Sequence, residues 1–308
     1  MPRFVQFEEF GSRDGLTLVE RPRPWPGPGQ LLVRVMAAGL NAVDVKVYRD
    51  ERAAARFGVT VPSGIGLEFA GFVEELGEGV TRFEVGEAVF GSAPHASIAD
   101  FTIVGEDALV LHKPDALTFE VAGAIAVAGR TAMASVRSLE LRERDVVLVS
   151  AAAGGVGVLA AQLAVRAGAR VIGTASEENH EFLEGLGVTP VLYGEGLVDR
   201  LRDLLDDGDR LTAVLDNHGP DTIDAALELG VPPERINTIA AHGAAARGAN
   251  TVGGSVATDD DLAEIARLLA ENELVLPIDS IFPIERVVEA YARLEAGHLR
   301  GKIVVVTD

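Results

Sequence analysis

The stretch Val146-Val147-Leu148-Val149-Ser150-Ala151-Ala152-Ala153-Gly154-Gly155-Val156-Gly157 decides how the chain is read. A run of β-formers, Val146–Ser150, meets a glycine turn, and an Ala/Leu-rich pattern with helical spacing follows over Val156–Ala167. From Val146 to Val165 there are twenty residues without a charge, long enough to span a bilayer. The tight-turn signal in its middle breaks that span, so strand, turn and helix fit better than a membrane segment.

Further strand patterns follow at Arg170–Thr174, Val188–Tyr193, Ala213–Asp216 and Arg235–Ala240. Helical patterns separate them at Asn179–Leu186, Leu197–Leu205 and Thr222–Leu229. Repeated β-α-β with short connections implies an α/β fold, a doubly wound parallel sheet covered on both faces. Upstream, the chain is rich in Val, Gly and Pro, with strands at Leu31–Val35 and Phe69–Leu76 and a loop over Pro22–Pro28. That is barrel-like β material. Downstream come a helix at Asp259–Asn272, a strand near Leu274–Ile281, a helix near Ile284–Ala296 and a strand at Lys302–Val306. The expected division is 1–120, 121–256 and a return segment, 257–308, that completes the first domain.

Composition narrows the function. The 308 residues carry 27 Lys and Arg against 47 Asp and Glu, a formal charge of -20, which argues against nucleic acid as a partner. The absence of cysteine removes disulfides, thiol nucleophiles and thiolate zinc sites. Only three of the basic residues are lysines, Lys46, Lys113 and Lys302. The amino terminus lacks the apolar core of a secretory signal, so a cytoplasmic protein without membrane partners is expected.

The turn Ala153-Gly154-Gly155-Val156-Gly157 stands where a dinucleotide fingerprint would stand. Its glycines admit a pyrophosphate, and the helix start supplies amide donors and positive dipole. The spacing is AxxGxxG rather than GxGxxG, and a purely structural turn is the plain alternative. Cofactor choice falls at the end of the second strand, where an NAD enzyme places an acid on the ribose. Here Thr174, Ala175 and Ser176 are small and neutral, and Ser176 and Asn179 can donate to a 2′-phosphate. NADPH is therefore expected, although Glu177 and Glu178 follow without an obvious cation beside them.

Several ordered motifs resemble one family. They are Gly39-Leu40-Asn41-Ala42-Val43-Asp44, Gly64-Ile65-Gly66-Leu67-Glu68-Phe69-Ala70-Gly71, Gly77-Glu78-Gly79-Val80 and Phe83-Glu84-Val85-Gly86-Glu87-Ala88-Val89-Phe90-Gly91. Gly129-Arg130-Thr131-Ala132, the glycine turn and Gly301-Lys302-Ile303-Val304-Val305 complete the series. Together they resemble the zinc-free medium-chain dehydrogenase/reductases of the quinone oxidoreductase, zeta-crystallin-like type. The resemblance implies a GroES-like barrel made by both chain ends, enclosing a Rossmann domain, with the site in the cleft between them. It also implies hydride transfer from NADPH to a quinone or conjugated carbonyl. Zinc-dependent relatives carry a ligating cysteine where this chain has Asn41, and a His-Glu pair where it has Leu67-Glu68. Both exchanges remove a ligand, so no metal is expected.

Reducing an enone or quinone needs a donor for the negative charge that develops on oxygen. By the resemblance, Asn41 and Asp44 lie in the substrate cleft. Lys46, two residues on, points to the same side if the segment is extended, with Asp44 holding its ammonium; Tyr48 is a second candidate donor. The plainer readings are a solvated lysine, a packing tyrosine, a capping aspartate and an asparagine that satisfies buried backbone. Thr131 corresponds to a family threonine near the nicotinamide, Arg130 is unusual there, and Gly253 and Gly254 fit a turn facing the cofactor. Arg300 and Lys302 read chiefly as surface charges. The histidines His95, His112, His180, His218, His242 and His298 are scattered, with no metal-binding spacing. A homodimer is expected through an exposed edge strand around Asn250–Val256. The rivals to a quinone or enone reductase are an unsaturated acyl thioester reductase and a non-catalytic NADPH-binding protein.

Overall fold

The computed structural model describes residues 1–308 apart from Asp206, Asp207, His242 and Asp308; the expectation for His242 therefore lies outside the described residues. Five parallel strands form the central sheet, in the spatial order Val188–Val191, Arg170–Thr174, Val146–Val149, Ala213–Asp216, Ile236–Thr238. The order reverses between Val146–Val149 and Ala213–Asp216, and the glycine turn leaves the sheet at that switch point, where ligands of such sheets bind. All four side chains of Val146–Val149 are buried, as a strand covered on both faces requires.

A second sheet of seven strands carries the other core. Its centre is Gln30–Gly39, which pairs antiparallel with Glu68–Leu76, with Phe101–Gly105 and with Lys302–Val306. The last strand of the chain thus lies beside one of the first, and Gly301, just before it, bridges to Gly154 of the glycine turn. A third, small sheet joins Thr17–Glu20, Arg3–Phe7 and Ser63–Gly64. Among the described residues no helix is long and apolar enough to cross a membrane.

Three local expectations change. Asn41–Tyr48 is not extended: Ala42–Arg49 is an α-helix that buries Asp44, Val47 and Tyr48 on one face. Its alternating Val43, Val45 and Val47 imitate a strand, but Asn41 at the N-cap and Asp44, whose carboxylate accepts the Asn41 N–H at 2.8 Å, start a helix. Asn250–Val256 is not a strand either. Asn237 donates to the Val252 carbonyl at 2.9 Å and accepts its N–H at 2.8 Å, so a side chain replaces the main-chain ladder. Only an isolated bridge, Asn237 to Asn250, and a 3-10 turn at Gly254–Val256 remain there. Finally, the late strand starts at Ile278 instead of Leu274, because Gln162 pairs with both backbone groups of Val275 at 2.8 Å.

Candidate active site

The glycine turn opens the helix Gly155–Arg166 with Gly154 as its N-cap and no side-chain cap, leaving first-turn N–H groups available to a ligand. The three glycines do different work. A Cβ on Gly157 would strike the Ala151 carbonyl, with its carbon at 2.8 Å, so this residue lets the helix sit on its own turn. A Cβ on Gly155 would come within 2.6 Å of Lys302 Cδ. At Gly154 the nearest atom, Ala151 O, is 3.3 Å away, and that face is the open one. Ala153 takes part through its carbonyl, which accepts from Gly301 N at 2.7 Å, and Val156 is half-buried in the first helical turn. Thr174 is buried, and its hydroxyl accepts the Ala151 N–H at 3.1 Å, locking the second strand to the turn.

Beyond that strand, Asn179 is buried and donates to Ser176 Oγ at 3.1 Å, while Ser176 donates to Glu178 Oε1 at 3.2 Å. Arg300 is not a free surface charge. Its Nε donates to Asn179 Oδ1 at 2.7 Å, its Nη2 to the Glu178 carbonyl at 2.8 Å, and its guanidinium lies over the Phe182 ring at 5.0 Å. The return segment thus sets a cation against this stretch, on the Glu178 carbonyl and the Asn179 side chain.

A buried polar cluster lies on the other side of the turn. Lys302 heads an otherwise apolar strand and is only 5% exposed. Its ammonium donates to Asn41 Oδ1 and, at 2.8 Å, to Glu68 Oε1. Asn41 Nδ2 donates to the same Glu68 oxygen at 2.8 Å and to the Gly39 carbonyl at 3.3 Å. Glu68 has no exposed surface, and its second oxygen accepts the Val127 N–H at 2.7 Å. That contact brings in the helix Ala126–Ser138, whose Thr131 donates to the Val127 carbonyl at 2.7 Å. Thr131 Oγ1 would lie 2.9 Å from a Cβ on Gly254, so the turn must pass here as glycine. Arg130 Nη2 donates to the Ala257 carbonyl at 2.6 Å, which ties the end of that turn to the helix.

Asp44 adjoins the cluster. Burial pushes its carboxyl up to about 7, against the lowering effects of the Asn41 N–H and the Lys302 charge. Tyr291 donates to Asp44 Oδ2 at 3.2 Å, and its ring meets Tyr48 edge-on at 5.4 Å. The Tyr48 hydroxyl is committed to Glu295, which Arg13 and Arg49 also pair. Burial, followed by the Glu295 contact, raises the phenol above its usual range, so Tyr48 sits here as a packing residue. Lys46 is exposed. On a helix, residues two apart diverge, so Asp44 does not hold its ammonium.

The structure therefore brings Asn41 and Asp44 together, turns Lys46 outward, keeps Tyr48 on the buried face beside Asp44 with its hydroxyl committed to Glu295, and adds Glu68, Lys302 and Tyr291. One signal for Lys302 was present in the sequence: a lysine, rare in this arginine-rich chain, stands directly before Ile303-Val304-Val305-Val306.

Comparison with known proteins agrees with this architecture. Residues 27–109 match the alcohol dehydrogenase GroES-like domain family, and residues 186–305 match the zinc-binding dehydrogenase family. A quinone oxidoreductase of Pseudomonas aeruginosa is 30% identical over 330 aligned positions, covering 99% of this chain and 100% of that one. The quinone oxidoreductase of Coxiella burnetii superposes with a TM-score of 0.87 at 31% identity, covering 100% and 99% of the two chains. A mycobacterial protein solved in complex with NADPH superposes at 0.84 with 27% identity, covering 99% and 100%. The chain belongs to the medium-chain dehydrogenase/reductase family. Within it, the chain is an oxidoreductase with quinone oxidoreductases among its relatives.

Proposed function

We propose that this oxidoreductase is a zinc-independent, NADPH-dependent reductase that passes hydride to a quinone or an α,β-unsaturated carbonyl. The observation that carries the cofactor assignment is the pair of built features flanking the second strand. One is the uncapped start of Gly155–Arg166 at the sheet's switch point; the other is the Arg300 guanidinium fixed on Asn179. The first suits a pyrophosphate. The second puts a positive charge, with no acid on the strand end itself, where a ribose 2′-phosphate would need one. When bound, the nicotinamide supplies the hydride.

The chain's own residues hold and orient. Amides of the first helical turn receive the pyrophosphate, Ser176, Asn179 and Arg300 the 2′-phosphate, and the Thr131 hydroxyl and the Gly254 turn flank the ring. Asn41 and its buried partners face the acceptor. Among the described residues no group of three or more His, Asp or Glu side chains is arranged to hold a metal. A homodimer of this protein would pair through the exposed Val256 turn, not along a sixth strand, because the outer edge of Ile236–Thr238 is covered by Asn250 and Val252.

The test is NADPH oxidation against a panel of quinones and enones. Saturable NADPH binding with no turnover on any acceptor overturns the reductase assignment. For the cofactor, Arg300→Ala is expected to weaken NADPH about ten-fold, roughly 1.4 kcal/mol, while NADH changes little. Equal losses for the two cofactors would remove Arg300 from phosphate recognition.

A further inference from the structure

We infer that Lys302 is a positioning residue for catalysis, fixing the Asn41 carboxamide from below and tying it to the cofactor turn; this rests on the proposed reductase activity. The chemistry of the contacts sets the orientation of Asn41. Its oxygen faces an ammonium, and its NH2 faces the Glu68 carboxylate and the Gly39 carbonyl. Flipping the amide would set donor against donor at Lys302 and acceptor against acceptor at Glu68. Two of the three ammonium protons are used, on Asn41 and Glu68, so one compact charge serves two acceptors, a task the broad fork of arginine would not fit.

The backbone is arranged to deliver this lysine. Gly301 has φ +79°, and a Cβ there would collide with the Pro277 carbonyl, so only glycine makes the approach. Lys302 N then donates to that same carbonyl at 3.0 Å. The stem runs against Gly155, whose missing side chain leaves room for it. Glu68, the shared partner, is anchored to Val127 N on the helix that carries Thr131. One residue thus joins the pyrophosphate turn, Asn41, and through Glu68 the helix that carries Thr131. A lysine with no such task would reach solvent from the head of the strand, where its chain entropy is retained.

The experiment compares Lys302→Met, which keeps the stem, with Glu68→Gln and the double variant, using NADPH and 1,4-benzoquinone. Each single variant leaves a buried partner unmatched and is expected to lower the unfolding midpoint, whereas the double removes both charges and recovers most of the loss. Turnover is expected to fall about 10- to 100-fold in Lys302→Met and to stay low in the double, because the amide is no longer oriented. A double variant that regains both stability and turnover overturns the positioning role. The Asn41 side-chain amide resonances give a readout independent of catalysis. In the native protein they should exchange slowly with solvent; the protection should weaken in Lys302→Met, which frees the amide oxygen but leaves the Glu68 and Gly39 acceptors, and disappear in the double variant. Unchanged Asn41 protection overturns the inference even if the protein reduces no quinone, while lost protection without quinone turnover counts against the reductase assignment alone.

Discussion

The glycine turn and the Asn41 cluster are neighbours in space and opposites in construction. Residues 151–157 form the turn from one unbroken stretch of chain, and its contacts are mostly with itself and the next strand. The cluster takes Asn41, Glu68 and Lys302 from three segments, with its hydrogen bonds spanning 27, 234 and 261 residues. The turn is held by shape, through atoms that leave no room for a Cβ. Charge and hydrogen bonding hold the cluster, where losing one partner strands another. Substitutions should therefore fail differently in the two places: steeply and without pH dependence in the turn, and with a marked pH dependence in the cluster.

The largest expected effect is in the turn. Gly157→Ala pushes a methyl into the Ala151 backbone, which cannot move without displacing the strand end, and should cost about 3 kcal/mol in chemical denaturation. Gly154→Ala is the control. Its backbone, at φ −76° and ψ 173°, suits any residue, and the nearest atom is 3.3 Å away, so a loss within about 1 kcal/mol is expected. Similar losses at both positions would mean that the turn is not held by close packing at Gly157.

In the cluster the sign reverses. Asp44 has its folded-state carboxyl near 7, well above its ordinary 3.8, so the folded protein holds a proton that the unfolded chain has already released between those values. The favourable contribution is complete below the unfolded value and is lost as pH rises through about 7. Asp44→Asn keeps an acceptor for the Asn41 N–H and removes the titration. The variant should match the native protein near pH 4 and exceed it above pH 7, read from unfolding midpoints across the range. A constant difference at all pH values would show that Asp44 does not titrate here. Lys302 and Glu68 face Asp44 from the neighbouring strands and Tyr291 from the last helix, so the same titration in Glu68→Gln should move down, one repelling carboxylate having gone.

The same contrast explains what could be read from the sequence. Arg170–Thr174, Ala213–Asp216 and Lys302–Val306 were legible to the residue, because a buried strand writes its period into consecutive side chains. The turn was legible as a turn, but two of its glycines face the protein's own atoms, which the pattern does not distinguish from space for a ligand. Asn250–Val256 was misread because Asn237, thirteen residues or more away, supplies the hydrogen bonds that a strand partner would have supplied. At Asn41–Tyr48 a two-residue valine alternation concealed a helix whose buried face is Asp44, Val47 and Tyr48, at helical spacing. Lys302 was the costliest miss. Its strand was correctly placed, and the rare lysine at its head was the one local signal, yet that signal does not name Asn41, 261 residues away, as the partner.

The smallest expected effect separates the two lysines most sharply. Lys46 lies two residues from Asp44 in the chain and Lys302 far from it, yet the helix turns Lys46 outward and the sheet brings Lys302 in. An exposed lysine without a fixed partner has little to lose: Lys46→Ala should shift stability by no more than about 0.5 kcal/mol. Turnover with a quinone should stay within about two-fold of native, since nothing that orients Asn41 depends on Lys46. The proper readout is kcat at saturating NADPH, with NADPH affinity measured alongside. If Lys46→Ala instead reduces kcat as strongly as Lys302→Met while leaving NADPH affinity alone, the exposed ammonium reaches the acceptor during turnover. The oxygen donor would then sit on the helix Ala42–Arg49, with Lys302 confined to orienting Asn41 behind it.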